Sequence, residues 1–379
     1  DVLCSGGADW VAMIEAGDLL APQTFFKLSD ATLRHPEWRV VYSDEDSVDA
    51  EGNFSNPYFK PDFNIDLCRS APYAIGGLML VDRSIFAQLG GFRAELEGVE
   101  YWDLLLRTYE QVAAAGIGHV ADILYHRYVE GGHCTRPVEA VLEARKQVLQ
   151  AHFDRIGQSV ILGEGLLPGT FHVFYKHATR PLVSIIIPTK DQPAMLRRCV
   201  ESLREKTAYT NYEILIVDNG TTNLDARLLL KEFAAMSNVR VLSYPHPYNY
   251  SAMNNLAAHE ARGEYLVLLN NDTAVLHEQW LDEMVSHGLR RDVGVVGARL
   301  LYPNGCVQHD GIILGMLGLP ADHVYSGRDS EEPGYFGRAQ LVQDFSAVTA
   351  ACMLVRKELY FEVGALDETH FKVAYNDVD

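Results

Sequence analysis

The run Tyr265-Leu266-Val267-Leu268-Leu269 most restricts what this chain can fold into. Gly263 and Glu264 precede it, and it stops abruptly on Asn270-Asn271-Asp272. An apolar run this short, bounded by glycine and an Asn/Asp cluster, suits a strand buried on both faces of a parallel sheet. In open α/β sheets ligands sit beyond the carboxyl ends of such strands. Asn270 and Asp272 would there meet a hard, oxygen-preferring cation and its phosphate partner. A capped turn leading into a helix over 279–287 explains the same letters.

The neighbouring sequence favours the sheet. Val183-Ser184-Ile185-Ile186-Ile187-Pro188-Thr189 reads as a buried strand ending in a Pro-Thr turn. A helix over 194–206 follows, then a strand over 212–217 that ends at Asp218-Asn219-Gly220. A helix near 224–236, a strand over 239–243, a helix over 251–261 and the Tyr265 strand complete a β-α-β-α-β-α-β series. Such alternation implies a parallel sheet with helices on both faces. Strands ending at Thr189, Asp218 and Asp272 bring oxygen-bearing side chains toward one edge, as a nucleotide site requires. There is no GxGxxG after the first strand and no GxxxxGK[ST], which disfavours a dinucleotide site or a P-loop.

The chain also repeats itself. The stretch from Asp9 to Gly17 lines up with Glu264 to Asp272 at an offset of 255 residues. Residues 79–92 line up with 353–366 at an offset of 274, and Glu100-Tyr101-Trp102-Asp103 matches Asn376-Asp377-Val378-Asp379. Three matches in the same order imply two homologous domains. Between them, 137–156 carries apolar residues at Val138, Val141, Leu142, Val148, Leu149, Phe153 and Ile156 before Gly157, which predicts an amphipathic helix. Residues 163–180 are expected to be irregular apart from a strand over 171–175.

Composition narrows the function classes. With 379 residues and 48% hydrophobic content there is material for two cores. A net charge of −19, from 51 acidic and 32 basic residues, argues against nucleic acid as a partner. The six cysteines, Cys4, Cys68, Cys134, Cys199, Cys306 and Cys352, show no metal-ligand spacing and read as scattered thiols of a reducing compartment. No apolar run approaches the roughly 18 residues of a membrane span. The chain opens on Asp1 without an initiator Met or signal-like segment and stops at Asp379 inside a motif, so a fragment of a longer polypeptide is expected.

The ordered set Ile185-Ile186-Ile187-Pro188-Thr189, Val217-Asp218-Asn219-Gly220-Thr221, Leu269-Asn270-Asn271-Asp272-Thr273 and Asn376-Asp377-Val378-Asp379 resembles the family 2 glycosyltransferases of the GT-A fold, the bacterial surface-polysaccharide members in particular. The resemblance extends through Tyr248 to Asn255, Val307-Gln308-His309-Asp310-Gly311 and Ser346-Ala347-Val348-Thr349. It implies a nucleotide-sugar site made of Pro188, Thr189, Asp191, Asp218, Asn219, Asn254, Asn270 and Asn271. Thr189, Asp191 and Asp218 would hold the nucleoside. Asn270 and Asp272 stand at the family's Asp-x-Asp motif, which implies Mg²⁺ or Mn²⁺ across the diphosphate, with a neutral Asn in place of the first carboxylate. Asp377 stands at the catalytic base, and His309 would contact donor or acceptor. Each has a plainer reading: Asp218 closing a turn, Asp377 capping a helix, His309 a core histidine, and Asn254 with Asn255 opening a helix.

Domain one departs from the pattern. Glu15 stands opposite Asn270, Gly17 opposite Asp272 and Tyr101 opposite Asp377. Glycine offers no side-chain ligand, and tyrosine is a poor base at neutral pH. Asp18 or Asp103 would substitute after a shift of one or two residues. Asp44-Glu45-Asp46 resembles the family's acidic loop, a solvated loop being the alternative, and His126 lies where relatives carry a histidine near the diphosphate.

The resulting expectation is an α/β protein with two GT-A (nucleotide-diphospho-sugar transferase, Rossmann-like) domains in tandem. The first, over 1–130, is a degenerate copy truncated at its N-terminus; 131–180 is a connector; the second, over 181–379, is cut short at its C-terminus. The expected activity is inverting, metal-dependent transfer of a sugar from a UDP-, dTDP- or GDP-sugar to a glycan or lipid-linked glycan acceptor. That places the protein in the cytoplasm, with peripheral association at the inner membrane. A non-catalytic glycan- or nucleotide-sugar-binding scaffold is the rival that Asn270 favours. A sugar-1-phosphate nucleotidyltransferase would want a Gly-rich loop where Pro188-Thr189-Lys190-Asp191 stands.

Overall fold

Strand pairing in the computed structural model follows the internal repeat of the sequence residue by residue. The structure describes residues 7–96, 98–129 and 137–378. Asp1, Cys4, Cys134, Asp379 and the expected boundary at 130–131 lie outside them. The chain divides into two units, one of Asp1–Val173 with Pro333–Asp344, the other of Phe174–Glu332 with Phe345–Asp379.

Unit 1 contains β1 (Trp10–Ala12), β2 (Leu19–Leu20), α1 (Thr24–Arg34), β3 (Val40–Val48), β4 (Phe54–Tyr58), α2 (Ile65–Ser70), β5 (Met79–Asp82), α3 (Arg83–Gln88), α4 (Glu100–Val112), β6 (Ile117–Tyr128), α5 (Val138–Arg155) and β7 (Val160–Glu164), and its main stretch ends within β8 (Phe171–Tyr175). Its sheet runs β1-β5-β3-β6-β2, with β4 also on β3. Leu28, Val41, Leu78, Leu124 and Tyr125 form the core between α1 and this sheet. The predicted connecting helix is α5, stopped by Gly157 at φ +69°, the left-handed conformation that ends helices. Its buried stripe is narrower than its apolar pattern: Val148, Leu149 and Phe153 are buried, whereas Val138, Leu142 and Ile156 are exposed. The strand expected over 171–175 is β8, and it pairs with β7 in a two-stranded sheet. Asp44, Glu45 and Asp46 are neither a loop nor solvated; they lie in β3 and are buried.

Unit 2 contains β9 (Val183–Thr189), α6 (Pro193–Lys206), β10 (Tyr212–Asp218), α7 (Leu224–Ala234), β11 (Val239–Ser243), α8 (Tyr250–Glu260), β12 (Tyr265–Leu269), α9 (Trp280–Gly288), β13 (Val295–Gly297), β14 (Leu300–Leu301), β15 (Val307–His309), β16 (Ile312–Leu314), β17 (Ala321–His323), β18 (Cys352–Arg356) and α10 (Lys357–Glu362). The sheet order is β11-β10-β9-β12-β18-β13. The four strands of the predicted series are parallel, and β18 joins them antiparallel to both β12 and β13, so the sheet is mixed. Every residue of β9 and β12 is buried. Period-2 alternation sends Ile185, Ile187, Ile214 and Ile216 toward α6, α7 and α9, and Ile186, Leu215 and Val217 toward α8. Truncating one of these, Ile185→Ala for example, costs about 2–5 kcal/mol through lost burial and a residual cavity. Pro193 opens α6 where its missing N–H is not needed, and the Asn223 and Asn249 side chains cap α7 and α8.

The repeat is visible in the registers. In unit 1 Trp10, Val11 and Ala12 pair with Asp82, Val81 and Leu80. In unit 2 Tyr265, Leu266 and Val267 pair with Arg356, Val355 and Leu354, the same pairs displaced by the two sequence offsets. Val40, Val41 and Tyr42 face Val81, Leu80 and Met79, as Val295, Val296 and Gly297 face Val355, Leu354 and Met353. Helices α3 and α10 begin one residue after the matched strands. A one-residue slip would turn every side chain to the other face, so agreement over two ladders is a demanding match. No described helix is long and apolar enough to cross a membrane.

Candidate active site

The carboxyl ends of β9 and β12 lie side by side because Leu268 pairs with Ile186. Beyond them a pocket of about 250 Å³ is lined by Pro188, Thr189, Lys190, Tyr248, Tyr250, Asn270, Asn271 and Asp272. Five of the predicted residues, Pro188, Thr189, Asn270, Asn271 and Asp272, therefore meet in one place. Lys190, Tyr248 and Tyr250 were not singled out as site residues; the signal for the two tyrosines was the Tyr248-Asn249-Tyr250 run that opens α8, and Lys190 directly follows the Pro-Thr end of β9. A larger polar hollow of about 490 Å³ beside Glu205 and His277 lies on other elements and holds none of the predicted residues.

Within the pocket the polar groups divide into committed and free. Asn271 Nδ2 donates to Thr189 Oγ1 at 2.9 Å, which joins the two strand ends. The Asp272 main-chain carbonyl accepts from Arg198 at 2.8 Å. Asn270 donates its amide to the Ala351 carbonyl at 3.1 Å. No protein hydrogen bond holds the Asp272 carboxylate or the Asn270 side chain among the described residues. Among these residues there is also no cluster of three or more His, Cys, Asp or Glu side chains placed to hold a metal. One carboxylate plus an amide oxygen still fits Mg²⁺ or Mn²⁺ of the kind that takes its other ligands from phosphate and water.

Asp191 and Asp218 lie outside the pocket lining and are engaged in the loops that frame it. Asp191 Oδ1 accepts from the Thr222 and Asn223 amides, each at 2.7 Å, and its Oδ2 from the Thr222 hydroxyl at 3.2 Å. The Asn223 amide, then that of Thr222, holds this carboxyl below the usual carboxylate range. Asp191 has φ +49°, so its backbone is in the left-handed region where it braces the two loops. Asp218 Oδ1 accepts from the Thr221 amide at 2.9 Å. Asn219 donates to the Tyr244 and His246 carbonyls at 3.1 and 2.8 Å. Asn254 is fully buried in α8; its Nδ2 donates to the Tyr250 carbonyl at 2.8 Å, and its Oδ1 has no partner among the described residues. Asn255 is held by Tyr360, Leu366 and Glu368.

Asp377 belongs to a neighbouring network. Its Oδ2 accepts from the Thr349 hydroxyl and the Ala350 amide, both at 3.1 Å. The Tyr250 hydroxyl donates to the Ala350 carbonyl at 3.0 Å, and burial, followed by the Asp377 charge, pushes the Tyr250 pKa up. His309 is 2% exposed, and its Nε2 accepts from the Thr349 amide at 3.3 Å. Its neighbour Asp310 was quoted in the sequence pattern without a role. Burial pushes the Asp310 carboxyl up to about 7 against the pull of Arg299, 3.6 Å away.

The corresponding positions of unit 1 are filled by protein. Asp18 Oδ1 accepts from the Tyr128 amide at 2.8 Å, and its Oδ2 from the Tyr125 hydroxyl. The Tyr128 ring lies over Gly17. Burial, then Glu15, Glu100 and Asp18, push the Tyr101 hydroxyl further from acting as a base. Asp103 is fully buried against Arg107 and Arg93. Asp44 faces His119 at 2.9 Å, Glu45 faces Lys60 at 2.8 Å, and Asp46 faces His126 at 2.5 Å.

The profile of the Glycosyl transferase family 2 domain matches residues 184–363, the stretch that carries β9, β12 and the pocket. The whole chain aligns with the O-antigen biosynthesis protein RfbC of Myxococcus xanthus, at 37% identity over 379 residues, 99% of this chain and 29% of RfbC. It aligns also with the uncharacterized protein y4gI of Sinorhizobium fredii, at 37% identity over 375 residues, 98% of this chain and 41% of y4gI. The chain thus spans less than half the length of these relatives. A solved mannosyltransferase, PcManGT from Pyrobaculum calidifontis in complex with GDP-Man and Mn²⁺, aligns at 15% identity and TM-score 0.39 over 53% of this chain and 51% of its own. The assignment does not rest on that distant likeness. The matched profile, the mixed α/β sheet and the pocket at its strand ends agree: residues 184–363 of this chain form a glycosyl transferase family 2 domain.

Proposed function

We propose that unit 2 is an inverting glycosyltransferase that moves a sugar from a nucleotide-diphosphate donor to a glycan acceptor in the making of a surface polysaccharide. The observation that carries this reading is the link between pocket and base. Asn270 is bonded to Ala351, and Asp377 is bonded to Thr349 and Ala350, so the donor pocket and the carboxylate share one short segment. Family membership and the name of RfbC supply the reaction class and the polysaccharide context.

In this reading Thr189, Asn271 and the loops braced by Asp191 and Asp218 shape the nucleoside end of the donor site, with Pro188 and Asn219 setting the loop backbones. Asp272 and Asn270 would hold Mg²⁺ or Mn²⁺ against the diphosphate. When bound, the cation offsets the charge that develops on the departing nucleoside diphosphate. Asp377 takes the proton of the acceptor hydroxyl while that oxygen attacks the anomeric carbon from the face opposite the leaving group. Two hydrogen bonds to Oδ2 leave Oδ1 as the oxygen that receives the proton.

Unit 1 reads as a degenerate copy of the same architecture. The shared registers support common ancestry of the two units, and the filled positions around Gly17 and Asp18 support loss of the reaction. Its role would be support or acceptor binding.

A panel of UDP-, dTDP- and GDP-sugars, scored by thermal shift with and without Mn²⁺, tests the reading. One donor class should stabilise the protein, and only with the cation. The absence of any shift across the panel would contradict it.

A further inference from the structure

Beyond the donor pocket and the base, a second polar chain runs through unit 2. His309 Nδ1 lies 2.8 Å from His323 Nδ1. The hairpin of β16 and β17 brings the rings together, since Ile312 pairs with His323 and His309 ends the preceding strand β15. Gly311, at φ +108°, makes the turn between them against the Phe345 ring, and a Cβ there would sit 2.3 Å from that ring. Ile312 and Ala347 exchange backbone hydrogen bonds of 2.9 and 3.2 Å, which hold this hairpin against the segment that carries Thr349.

The directions of these bonds settle the proton positions. His309 Nε2 faces the Thr349 amide, a donor, so that nitrogen is the acceptor. A neutral imidazole has one donor and one acceptor nitrogen, so His309 carries its proton on Nδ1. It then donates to His323 Nδ1, which leaves His323 protonated on Nε2. Burial, then His323, lowers the His309 pKa to about 4, in keeping with a neutral ring. Thr349 is fixed at three points: its amide on His309, its hydroxyl oxygen receiving the Ala351 amide at 3.3 Å, and its hydroxyl proton on Asp377.

We infer that His309 and His323 are positioning residues for Asp377, acting through Thr349. The inference rests on the reading of Asp377 as base. The pair locks the Thr349 backbone so that its hydroxyl and the next amide both point at Oδ2. This directs the remaining oxygen toward the acceptor and keeps the carboxylate from turning. Loss of the His309 acceptor frees the Thr349 amide and loosens the carboxylate, while the Asn270–Ala351 and Asn271–Thr189 bonds at the donor pocket keep their own partners. A misplacement of about 1 Å in a reacting group costs as much as about 10²-fold in rate.

Two measurements on the 379-residue chain test this. Selective ¹⁵N-histidine NMR at pH 7 should show His309 protonated on Nδ1 and bare on Nε2; the opposite tautomer or a cationic ring overturns the inference. Nucleoside diphosphate release is then followed from whichever UDP-, dTDP- or GDP-sugar gives the largest thermal shift. His309→Leu should lower kcat about 10-fold or more with donor KM unchanged. His309→Gln, whose amide oxygen can replace Nε2, should recover most of the loss. Thr349→Val against Thr349→Ser repeats the comparison should the Leu variant not fold, with the loss expected only in Val. Wild-type kcat in both His309→Leu and Thr349→Val, beside a failing Asp377→Asn, overturns the positioning role alone. Wild-type kcat in Asp377→Asn instead removes the base reading itself.

Discussion

The Asp377 carboxylate and the Asn270 amide are fastened to the same three-residue segment. Thr349 and Ala350 donate to Asp377 at 3.1 Å, and the carbonyl of Ala351 accepts from Asn270 at 3.1 Å. The segment leads directly into β18, which pairs antiparallel with β12, so the sheet sets the separation of the two groups. On the proposed reading of Asp377 as base and of the pocket as donor site, one strand start holding both would need little reorganisation when substrate arrives.

Asp272→Ala should abolish the cation-dependent part of nucleotide binding. Its carboxylate is the uncommitted anionic group of the pocket lining, so its removal takes away the only charged oxygen there. Titration of nucleoside diphosphate with and without Mn²⁺ checks this. Unchanged affinity in Mn²⁺ would show that the cation is held elsewhere or not at all.

Unit 1 should contribute no turnover. Asp18 is already bonded to the Tyr128 amide and the Tyr125 hydroxyl, and Tyr101 stands where a base would be needed. A Glu15→Gln, Tyr101→Phe double variant should keep its rate within about twofold of wild type, since neither group does chemistry. A tenfold drop at unchanged melting temperature would mean that the first copy takes part in transfer.

Asp310→Asn should stabilise the protein, and increasingly so as pH rises. The folded carboxyl has its pKa raised from 3.8 to about 7 by burial. Its stability contribution is fully present below 3.8 and is lost as pH climbs through about 7, because the folded site disfavours the charge that the unfolded chain accepts freely. Asn carries no charge to bury. The stability difference between variant and wild type should be small at pH 4 and reach about 2–4 kcal/mol above pH 7. Denaturant melts across that range provide the check, and a difference independent of pH would refute the burial argument.

The sequence was most legible where physics is local and periodic. Tyr265–Leu269 and Val239–Ser243 emerge as strands with the expected limits, because apolar runs cut short by Asn, Asp or Ser leave little freedom. The sequence repeat reappears in the β1–β5 and β12–β18 registers, which are fixed by which face is buried, but which strands would pair was not legible from it. Side-chain commitments were not legible. For Asp191, expected as a nucleoside ligand, only the folded loops reveal that both its oxygens also accept hydrogen bonds from Thr222 and Asn223. Asp44 to Asp46 looked like a loop because three acids in a row seldom enter a buried strand. Here Lys60, just after β4, and His119 and His126, both on β6, reach them across the fold, which spacing along the chain does not report. His323 gave no signal at all, since its value lies in meeting His309 across a hairpin.

The most direct test of the account is Asp377→Asn, with kcat and donor affinity measured separately. Asn keeps the shape and can still accept from Thr349 and Ala350, but it has no basicity. General-base catalysis is worth about 10²–10⁴-fold, so kcat should fall by at least about 10² while donor affinity stays within about twofold. Asn caps a helix about as well as Asp, so a purely structural role predicts that both activity and stability survive. A near-normal kcat in this variant would contradict the assignment of Asp377 as the base.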